Sequence, residues 1–420
     1  MTVEPLLAVE DLQVNFETEE GTVKALEGVT FELYEGDTLG IIGESGCGKT
    51  VTSRTILKLL DRRAVIAGGS IRYDGRELTE LSDREMTDVR GSEIAMIFQE
   101  PMASLNPVFT IKRQLIETLE TNADLTGEAA LDRAVDLLDS VRIPAPRSVL
   151  EQYPHQLSGG MQQRVMIALA LACEPRVLIA DEPTTALDVT VQAQIMELLD
   201  DLKAEFGTSI ILITHDLGVV AQTCNRVNVM YAGSVVETGT MDRIFKSPNH
   251  PYTRRLMRSI PTLGNANRKL PTIRGVVPDL VDPPSGCRFR TRCGYVINPE
   301  SVTISDEEWN HAVQLRFSLQ NQDANRTPAE YVEAMTSTPS HEDLSTAVDA
   351  IRDGDYARAT DALDRLVEQS PCAGSRPEIH ESDGSNVRCH LYGYEADRRP
   401  EAISEAVVQG EERVMRGDGR

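Results

Sequence analysis

The sequence is poor in lysine and in positive charge generally. Only 7 of its 42 basic residues are lysines, and 66 acidic residues give the 420-residue chain a formal net charge of −24. This charge disfavours a nucleic-acid-binding protein and a protein held on membranes by basic residues, because both need a basic surface. Few lysines beside many acidic residues are typical of proteins kept soluble in high salt, so we interpret the composition as halophilic.

Long apolar runs are also missing. No segment approaches the roughly 18 apolar residues that a membrane-spanning helix needs, and the windows Val165–Cys173 and Ser209–Thr214 are the most apolar. Met1–Leu12 has no basic segment like the start of a signal peptide. We therefore expect a cytosolic chain, for which any association with a membrane depends on a partner.

Up to about residue 240, short apolar segments alternate with amphipathic ones. Strands are predicted for Leu6–Phe16, for two parts of Val23–Tyr34, and for Thr38–Ile42, Val177–Ala180 and Ile210–Thr214. Helices are predicted for Lys49–Leu60, Gln114–Val141, Met161–Cys173 and Val191–Phe206. This alternation predicts an α/β fold with a parallel sheet.

A glycine-rich loop follows the predicted strand Thr38–Ile42 and leads into a predicted helix. The loop matches the phosphate-binding pattern G-x-x-x-x-G-K-T and consists of Gly43, Glu44, Ser45, Gly46, Cys47, Gly48, Lys49 and Thr50. Its glycines let backbone N–H groups approach phosphate oxygens, Lys49 brings charge to the β- and γ-phosphates, and Thr50 can hold Mg²⁺. A chance glycine-rich turn is the alternative, but the flanking strand and helix favour a nucleotide site.

The segment Val177–Glu182 is an apolar strand that ends in two carboxylates. Asp181 would bind Mg²⁺ through water, and Glu182 would orient and polarise the attacking water. Many buried strands end in an acidic residue, so this signal is weak alone and gains weight only beside the phosphate loop.

A third segment, Leu157–Gln163, lies between the phosphate loop and the acidic strand end. Ser158 can cap a helix, and Gly159 and Gly160 expose N–H groups at its amino end, where an anion is favoured. An ordinary capped helix is the alternative. In this position, however, the segment resembles the signature of ABC-transporter ATPases, which includes Gln162.

The resemblance covers about residues 5–240. It implies a RecA-like P-loop ATPase core with an antiparallel β subdomain and a helical subdomain at about 96–160. Gln99 resembles the Q-loop glutamine, which also reaches Mg²⁺, and Ala186-Leu187-Asp188 resembles the D-loop. His215 resembles the switch histidine. For stacking on adenine, Phe16 is the first candidate and Tyr34 the second.

The resemblance also implies how the residues act. In this family two ATP-binding domains close head to tail, so ATP and Mg²⁺ lie between the phosphate loop of one and the signature of the other. Glu182, His215 and Lys49 would be catalytic, whereas Ser158 and its glycines would face the partner's ATP.

Three segments resemble the dipeptide, oligopeptide and nickel importer subfamily, namely Phe98–Pro107, His250–Thr253 and Pro284–Cys293. The first would contact a permease, because it follows Gln99. The implied partners are two transmembrane permeases, a second ATPase subunit, identical or different, and an extracellular solute-binding protein, with no nucleic acid. The chain would then lie at the cytoplasmic face of the cell membrane. Peptides, nickel and short oligosaccharides remain alternatives for the solute.

Beyond residue 240 the sequence changes character. Residues 241–293 and 372–396 are predicted to form the importer-type C-terminal region, and 397–420 a mobile tail. Residues 294–371 contain 15 acidic residues and 5 arginines but no lysine, with helical spacing near their end. We interpret 294–371 as an acidic helical insertion with a solvated surface.

The chain has 7 cysteines, and this odd number argues against a disulfide framework. Four lie in the C-terminal third, at Cys287, Cys293, Cys372 and Cys389. The resemblance implies an iron–sulfur cluster here, and four thiolates can hold either [4Fe–4S] or Zn²⁺. Four unligated cysteines are the alternative, and their spacing matches no standard ferredoxin pattern.

The leading functional hypothesis is the ATPase subunit of an importer for peptides or a related small solute. The alternative is a soluble ABC ATPase that acts on DNA or ribosomes. Such proteins usually carry two cassettes or a long coiled coil, whereas this chain has one phosphate loop, no heptads and a charge of −24.

Overall fold

The computed structural model describes residues 4–99, 104–185, 187–259, 273, 275–321, 327–333, 335 and 339–393. The chain divides after Lys246 into two compact units, a few residues beyond the predicted boundary. The predicted tail 397–420, Ala186 of the predicted D-loop and residues 100–103 of the predicted permease segment lie outside the described residues. Within the described part, no helix has the length and apolar character to span a bilayer.

The first unit alternates strands and helices. Its strands are β1 (Leu7–Thr18), β2 (Gly21–Leu33), β3 (Thr38–Ile42), β4 (Ala64–Tyr73), β5 (Arg76–Glu77), β6 (Ile94–Ile97), β7 (Val177–Asp181), β8 (Ser209–Ile213), β9 (Arg226–Tyr231) and β10 (Ser234–Thr240). Its helices are α1 (Lys49–Ile56), α2 (Asp83–Val89), α3 (Ile111–Asn122), α4 (Gly127–Ser140), α5 (Pro146–Leu150), α6 (Gly159–Leu171), α7 (Val189–Phe206), α8 (Leu217–Thr223) and α9 (Met241–Lys246).

One sheet of this unit is antiparallel, in the order β2-β1-β4-β5. The prediction of two short strands in Val23–Tyr34 was wrong, because β2 is continuous. Its apolar alternation breaks at a register shift against β1, where Leu12 pairs with Val29 but Val14 pairs with Leu26. Such a bulge flips the side chains beyond it and so imitates a strand end.

The other sheet of the first unit has the strand order β10-β9-β3-β8-β7-β6. Strands β9, β3, β8, β7 and β6 are parallel, and β10 is antiparallel to β9. Every residue of β3, β7 and β8 is buried, which explains their continuous apolar sequences. The carboxyl ends of the parallel strands share one edge, and the segments after β3, β6, β7 and β8 carry the predicted site residues.

Helices α3, α4 and α6 pack against one another. The predicted helical stretch Gln114–Val141 is two helices, α3 and α4, because the chain turns at Asp124 and Gly127 with φ of 52° and 61°. Both helices bury apolar faces, including Leu115 and Leu119 of α3 and Leu137 of α4.

The second unit is helical with one hairpin. Its elements are α10 (Pro251–Arg258), α11 (Asp306–Asn321), α12 (Pro328–Glu333), α13 (Glu342–Arg352), α14 (Tyr356–Val367), α15 (Pro371–Gly374), β11 (Ile379–Ser382) and β12 (Ser385–Arg388). Helices α13 and α14 form an antiparallel pair, and α11 packs on α14.

The interpretation of 294–371 as a solvated surface segment was wrong. Trp309 of α11, Leu344 of α13 and Leu363 of α14 are almost wholly buried in one apolar core. Most of the described acidic residues lie on the outer helix faces, with Glu308 a buried exception, so net charge concealed an amphipathic pattern. This core includes Cys372 and Cys389, which come after the predicted insertion in the sequence.

Candidate nucleotide site

The loop after β3 has a backbone that only glycine accommodates at its ends. Gly43 has φ of 154°, and a Cβ there would lie 2.2 Å from the Met230 carbonyl oxygen. Gly48 has φ of 104°, and a Cβ there would lie 2.7 Å from Leu26 Cδ2. The loop is therefore pressed against β9 and β2, with its backbone bare on the side where phosphates would approach.

Lys49 begins α1 and is 7% exposed. Its ammonium donates hydrogen bonds to the carbonyl oxygens of Gly43, at 2.9 Å, and Glu44, at 3.1 Å. Among the described residues no side chain caps the amino end of α1. The charge and the open N–H groups of this helix end therefore converge at the loop, as phosphate binding requires.

Thr50 and Asp181 bring the loop and the end of β7 together. The Thr50 hydroxyl donates to Asp181 Oδ1 at 3.3 Å, and Asp181 is 1% exposed. Burial raises the pKa of Asp181, and the hydrogen bond from Thr50 only partly offsets this effect. A cation beside these two oxygens would reverse the penalty. Mg²⁺ usually takes one or two carboxylates together with substrate phosphates, so the pair fits Mg²⁺.

Glu182 is the hub of the polar residues at this edge of the sheet. Its Oε2 accepts hydrogen bonds from Gln99 Nε2 at 2.9 Å and from the Thr185 hydroxyl at 2.8 Å. Its Oε1 lies 3.3 Å from His215 Nδ1. The structure thus joins the residues predicted separately after β6, β7 and β8, and it adds Thr185, which the sequence analysis missed.

The environment keeps Glu182 ionised. Burial alone would raise its pKa, but the hydrogen bonds from Thr185 and His215 outweigh burial and lower it. Its backbone is strained, with φ of 48°, a conformation that non-glycine residues rarely adopt. An ionised, held carboxylate suits a group that positions water.

The predicted signature segment starts α6. Ser158 is exposed and caps the helix weakly, accepting from Met161 N at 3.4 Å. A Cβ on Gly160 would lie 2.9 Å from Val191 Cγ1, so α6 and the start of α7 are in close contact. The structure separates Gln162 from this exposed end, because its buried amide donates to the carbonyl oxygens of Pro154 and Leu157. Gln162 thus holds the preceding turn in place.

Asp188, the described end of the predicted D-loop, caps α7. Its Oδ1 accepts from Thr190 N at 3.1 Å and from Val191 N at 3.0 Å. The cap fixes how the chain leaves the Glu182 segment and enters the helix that contacts the signature.

Two family patterns match the chain. That of the ABC transporter family matches residues 26–185, and that of the oligopeptide/dipeptide transporter C-terminal region matches residues 236–298. The oligopeptide transport ATP-binding protein OppD of Bacillus subtilis is 52% identical over 312 residues, which cover 72% of this chain and 87% of that protein. This chain belongs to the ABC transporter family of ATP-binding subunits. Members of this family are ATPases that use ATP and Mg²⁺, which confirms the predicted activity.

Other relatives of this ABC ATPase agree. The dipeptide transport ATP-binding protein DppD of Bacillus subtilis is 48% identical, over 74% of this chain and 98% of that protein. A solved dimeric ATP-binding cassette, MJ0796 with bound ADP and Pi, is 30% identical with a TM-score of 0.51, over 56% of this chain and 98% of the cassette. The relatives favour the transporter hypothesis over the soluble one.

The two adenine candidates of the ABC ATPase lie in different sheets, since Phe16 is on β1 of the antiparallel sheet and Tyr34 precedes β3 of the parallel sheet. Tyr34 precedes β3 and carries the Arg226 guanidinium 5.2 Å from its ring centroid. Because the phosphate loop follows β3, Tyr34 lies at the wrong end of this strand. Phe16 is two residues from Val14, whose β2 partner Leu26 touches the phosphate loop at Gly48. Phe16 therefore stays the first candidate for stacking on adenine, as predicted.

The His250–Thr253 segment stabilises the second unit. His250 is 1% exposed, and its Nδ1 accepts from Tyr252 N at 3.1 Å to cap α10. Burial lowers the pKa of His250 to about 3. Tyr252 packs edge-on against Phe289, with 5.4 Å between the ring centroids. The motif is thus a buried cap and an aromatic contact.

The four C-terminal cysteines share one core in the second unit. Cys287 N donates to the Cys372 carbonyl oxygen at 2.8 Å, and burial raises the pKa of Cys293 to about 12. Burial likewise raises the pKa of Cys389, and nearby thiols add to this shift. However, no three His, Cys, Asp or Glu side chains in the described ranges converge to hold one metal ion. The described residues therefore do not support a [4Fe–4S] or Zn²⁺ site among the four cysteines.

Proposed function

We propose that this ATPase energises the import of peptides across the cell membrane, using the residues around Glu182 to hydrolyse ATP. The convergence of Gln99, Thr185 and His215 on Glu182 carries this proposal, because it gives an ionised carboxylate a fixed direction at the edge where nucleotides bind. The named relatives OppD and DppD, with the match to the oligopeptide/dipeptide C-terminal region, support peptides as the cargo.

Each residue has a defined part in hydrolysis. The loop 43–50 holds the phosphates through its N–H groups, and Lys49 neutralises charge on them. Mg²⁺, held at Thr50 and Asp181 with Gln99 nearby, would supply further charge neutralisation. Glu182 accepts the proton of the attacking water, and His215 orients Glu182. Phe16 stacks on adenine.

A second ATPase subunit completes each site. Ser158, Gly159 and Gly160 lie at the amino end of α6, whereas the phosphate loop precedes α1, so one chain offers two separate anion sites. In a head-to-tail pair the signature of one subunit closes on ATP held by the other, and Asp188 lines the junction. The dimeric form of the solved cassette supports this arrangement.

A permease docks in an apolar groove of the first unit. The groove encloses about 270 Å³ between β6, α3 and α6, and Leu105, Met166 and Ala170 are among its lining residues. It adjoins Phe98, which precedes Gln99, so an apolar helix of a permease seated here would act on the Glu182 cluster.

The chain is then peripheral at the cytoplasmic face of the membrane, and an extracellular solute-binding protein delivers the peptide. We keep the halophilic interpretation, which composition supports.

Reconstitution tests the import function. The ATPase, assembled with its two permeases in proteoliposomes, should hydrolyse ATP faster when a peptide-loaded binding protein is added. Ala170→Arg should abolish binding to the permeases but not ATP hydrolysis by the ATPase subunits alone, whereas Asp200→Arg, on an exposed face of α7, should change neither. Stimulation by nickel or oligosaccharides, with none by peptides, would overturn the cargo assignment.

The iron–sulfur prediction keeps two observations in its support, the shared core of the four cysteines and the buried Arg290, whose backbone N–H donates to the Cys287 carbonyl oxygen at 3.0 Å. Iron and acid-labile sulfide should be measured on protein purified without oxygen. About four irons and four sulfides per chain would support a cluster, whereas zinc alone or no metal would exclude it.

A further inference from the structure

Gln192 lies one turn into α7, directly after the D-loop cap. Its backbone N–H donates to the Asp188 carbonyl oxygen at 2.9 Å. The neighbouring Val191 is the residue that Gly160 of the signature helix approaches closely. The position of Gln192 is therefore set by both the D-loop cap and the signature helix.

The Gln192 side chain reaches out to a different segment. Its Nε2 donates to Asp216 Oδ2 at 2.8 Å, across 24 residues of sequence. The other carboxylate oxygen of Asp216 caps α8, accepting from Gly218 N at 2.8 Å and from Val219 N at 3.3 Å. The two carboxylate oxygens of Asp216 thus have different roles, since Oδ1 caps α8 and Oδ2 accepts from Gln192 of α7.

Asp216 directly follows His215, whose ring lies against Glu182. Asp216 N also donates to the Thr214 hydroxyl at 3.0 Å, which fixes the turn around the histidine. A shift of α7 would therefore pull on the backbone that aims His215.

We propose that Gln192 is a positioning residue that transmits the placement of the signature and D-loop to His215 through its hydrogen bond to Asp216. The inference rests on the proposed roles of Glu182 and His215 in hydrolysis. When a partner subunit closes, it contacts Ser158, Gly160 and Asp188. The Gln192–Asp216 hydrogen bond then carries the resulting shift of α7 to His215 and aligns its side chain. Hydrolysis is thereby favoured only after the two subunits have met.

A donor–acceptor exchange tests the bond in the full-length chain. Gln192→Glu sets two carboxylates against each other and breaks the bond, whereas Asp216→Asn keeps a hydrogen bond possible, because the Gln192 amide can turn its oxygen towards the new amide nitrogen. Gln192→Glu should lower kcat for ATP hydrolysis about tenfold, the effect of one charge-assisted hydrogen bond, and leave KM within about twofold, whereas Asp216→Asn should stay within about threefold of the parent kcat. The double variant restores a bond with donor and acceptor exchanged, and should recover kcat to within about threefold of the parent.

Gln194→Glu is the matched control, because Gln194 is exposed on the same helix, and it should retain the parent kcat. If a carboxylate variant does not fold, Gln192→Met, which keeps the length but not the donor, should give the same fall in kcat with an unchanged melting temperature. A double variant no faster than Gln192→Glu alone, or a Gln192→Glu variant with parental kcat, would overturn the inference. Glu182→Gln in parallel separates the two proposals, since its inactivity would leave the proposed catalytic role standing even if the exchange fails.

Discussion

Two histidines show how differently the two units use the same side chain. His215 follows a strand of the parallel sheet, has a side chain 67% exposed, and faces Glu182. His250 is sealed in the second unit, where it caps α10 and packs beside Phe289 with 5.8 Å between the ring centroids. His215 is thus exposed beside Glu182, whereas His250 stabilises the fold of the second unit. The exposure of a motif histidine therefore indicates whether it is open to ligands or stabilises the fold.

The largest effect should come from emptying the core of the second unit. Trp309→Ala removes a ring that is 1% exposed and whose Nε1 donates to the Val296 carbonyl oxygen at 2.7 Å. We expect a loss of about 3–5 kcal/mol in unfolding free energy of this unit, measured by calorimetry. Tyr356→Ala, at a side chain that is 52% exposed, is the control. An equal loss of ATP affinity would contradict the division of labour between the units.

Substituting Glu182 should lower the rate of ATP hydrolysis and leave the stability of the protein unchanged. Glu182→Gln should lower ATP hydrolysis by about 10²–10³-fold, because the carboxylate that accepts the proton is lost. ATP binding should persist, since the phosphate loop supplies the affinity. Phosphate release and nucleotide titration measure the two effects. Full hydrolysis by the purified variant would remove Glu182 from catalysis.

The two anion sites of the first unit should respond separately. Lys49→Ala should weaken ATP binding to the isolated chain by about tenfold, because its ammonium sits at the phosphate loop of the same chain. Ser158→Arg should leave this affinity within about twofold but prevent ATP-driven association, seen by light scattering. Equal weakening of binding by both variants would place the signature in its own chain's pocket.

The effect that should be smallest near neutral pH is a pH dependence of the stability of the second unit, which grows as the pH falls. The pKa of His250 is lowered to about 3 in the folded protein against an ordinary 6.5, so the unfolded state binds the proton first. Stability should be greatest above pH 6.5 and fall by about 1.4 kcal/mol per pH unit towards pH 3. His250→Asn, which can still cap α10, should flatten this slope. His155→Asn, at an exposed histidine, should leave the slope unchanged, and an unaltered slope for both would exclude His250 as its origin.

The sequence was most informative where burial is complete. The prediction of β3 was right at both ends, and those of β7 and β8 were right to within one residue, because strands covered on both faces read as continuous apolar runs. The phosphate loop was equally readable, since its backbone demands glycine at fixed positions such as Gly43 and Gly48.

The sequence was least informative where side chains meet across long distances. Nothing near Gln192 in the sequence indicates Asp216, and nothing in the sequence singles out Thr185. A bulge hid the continuity of β2, and acidic outer faces hid the core of α11, α13 and α14. In each case the decisive partner came from another element, which local pattern does not specify.

The buried thiols of the second unit can report when its core opens. Cys372 and Cys389 are buried, and burial raises the pKa of both thiols, which disfavours the thiolate that reacts with alkylating reagents. Modification of these two residues must therefore wait until the core around Trp309 opens. The rate at which label accumulates on these residues would time local opening of this unit, in the intact transporter and without any introduced probe.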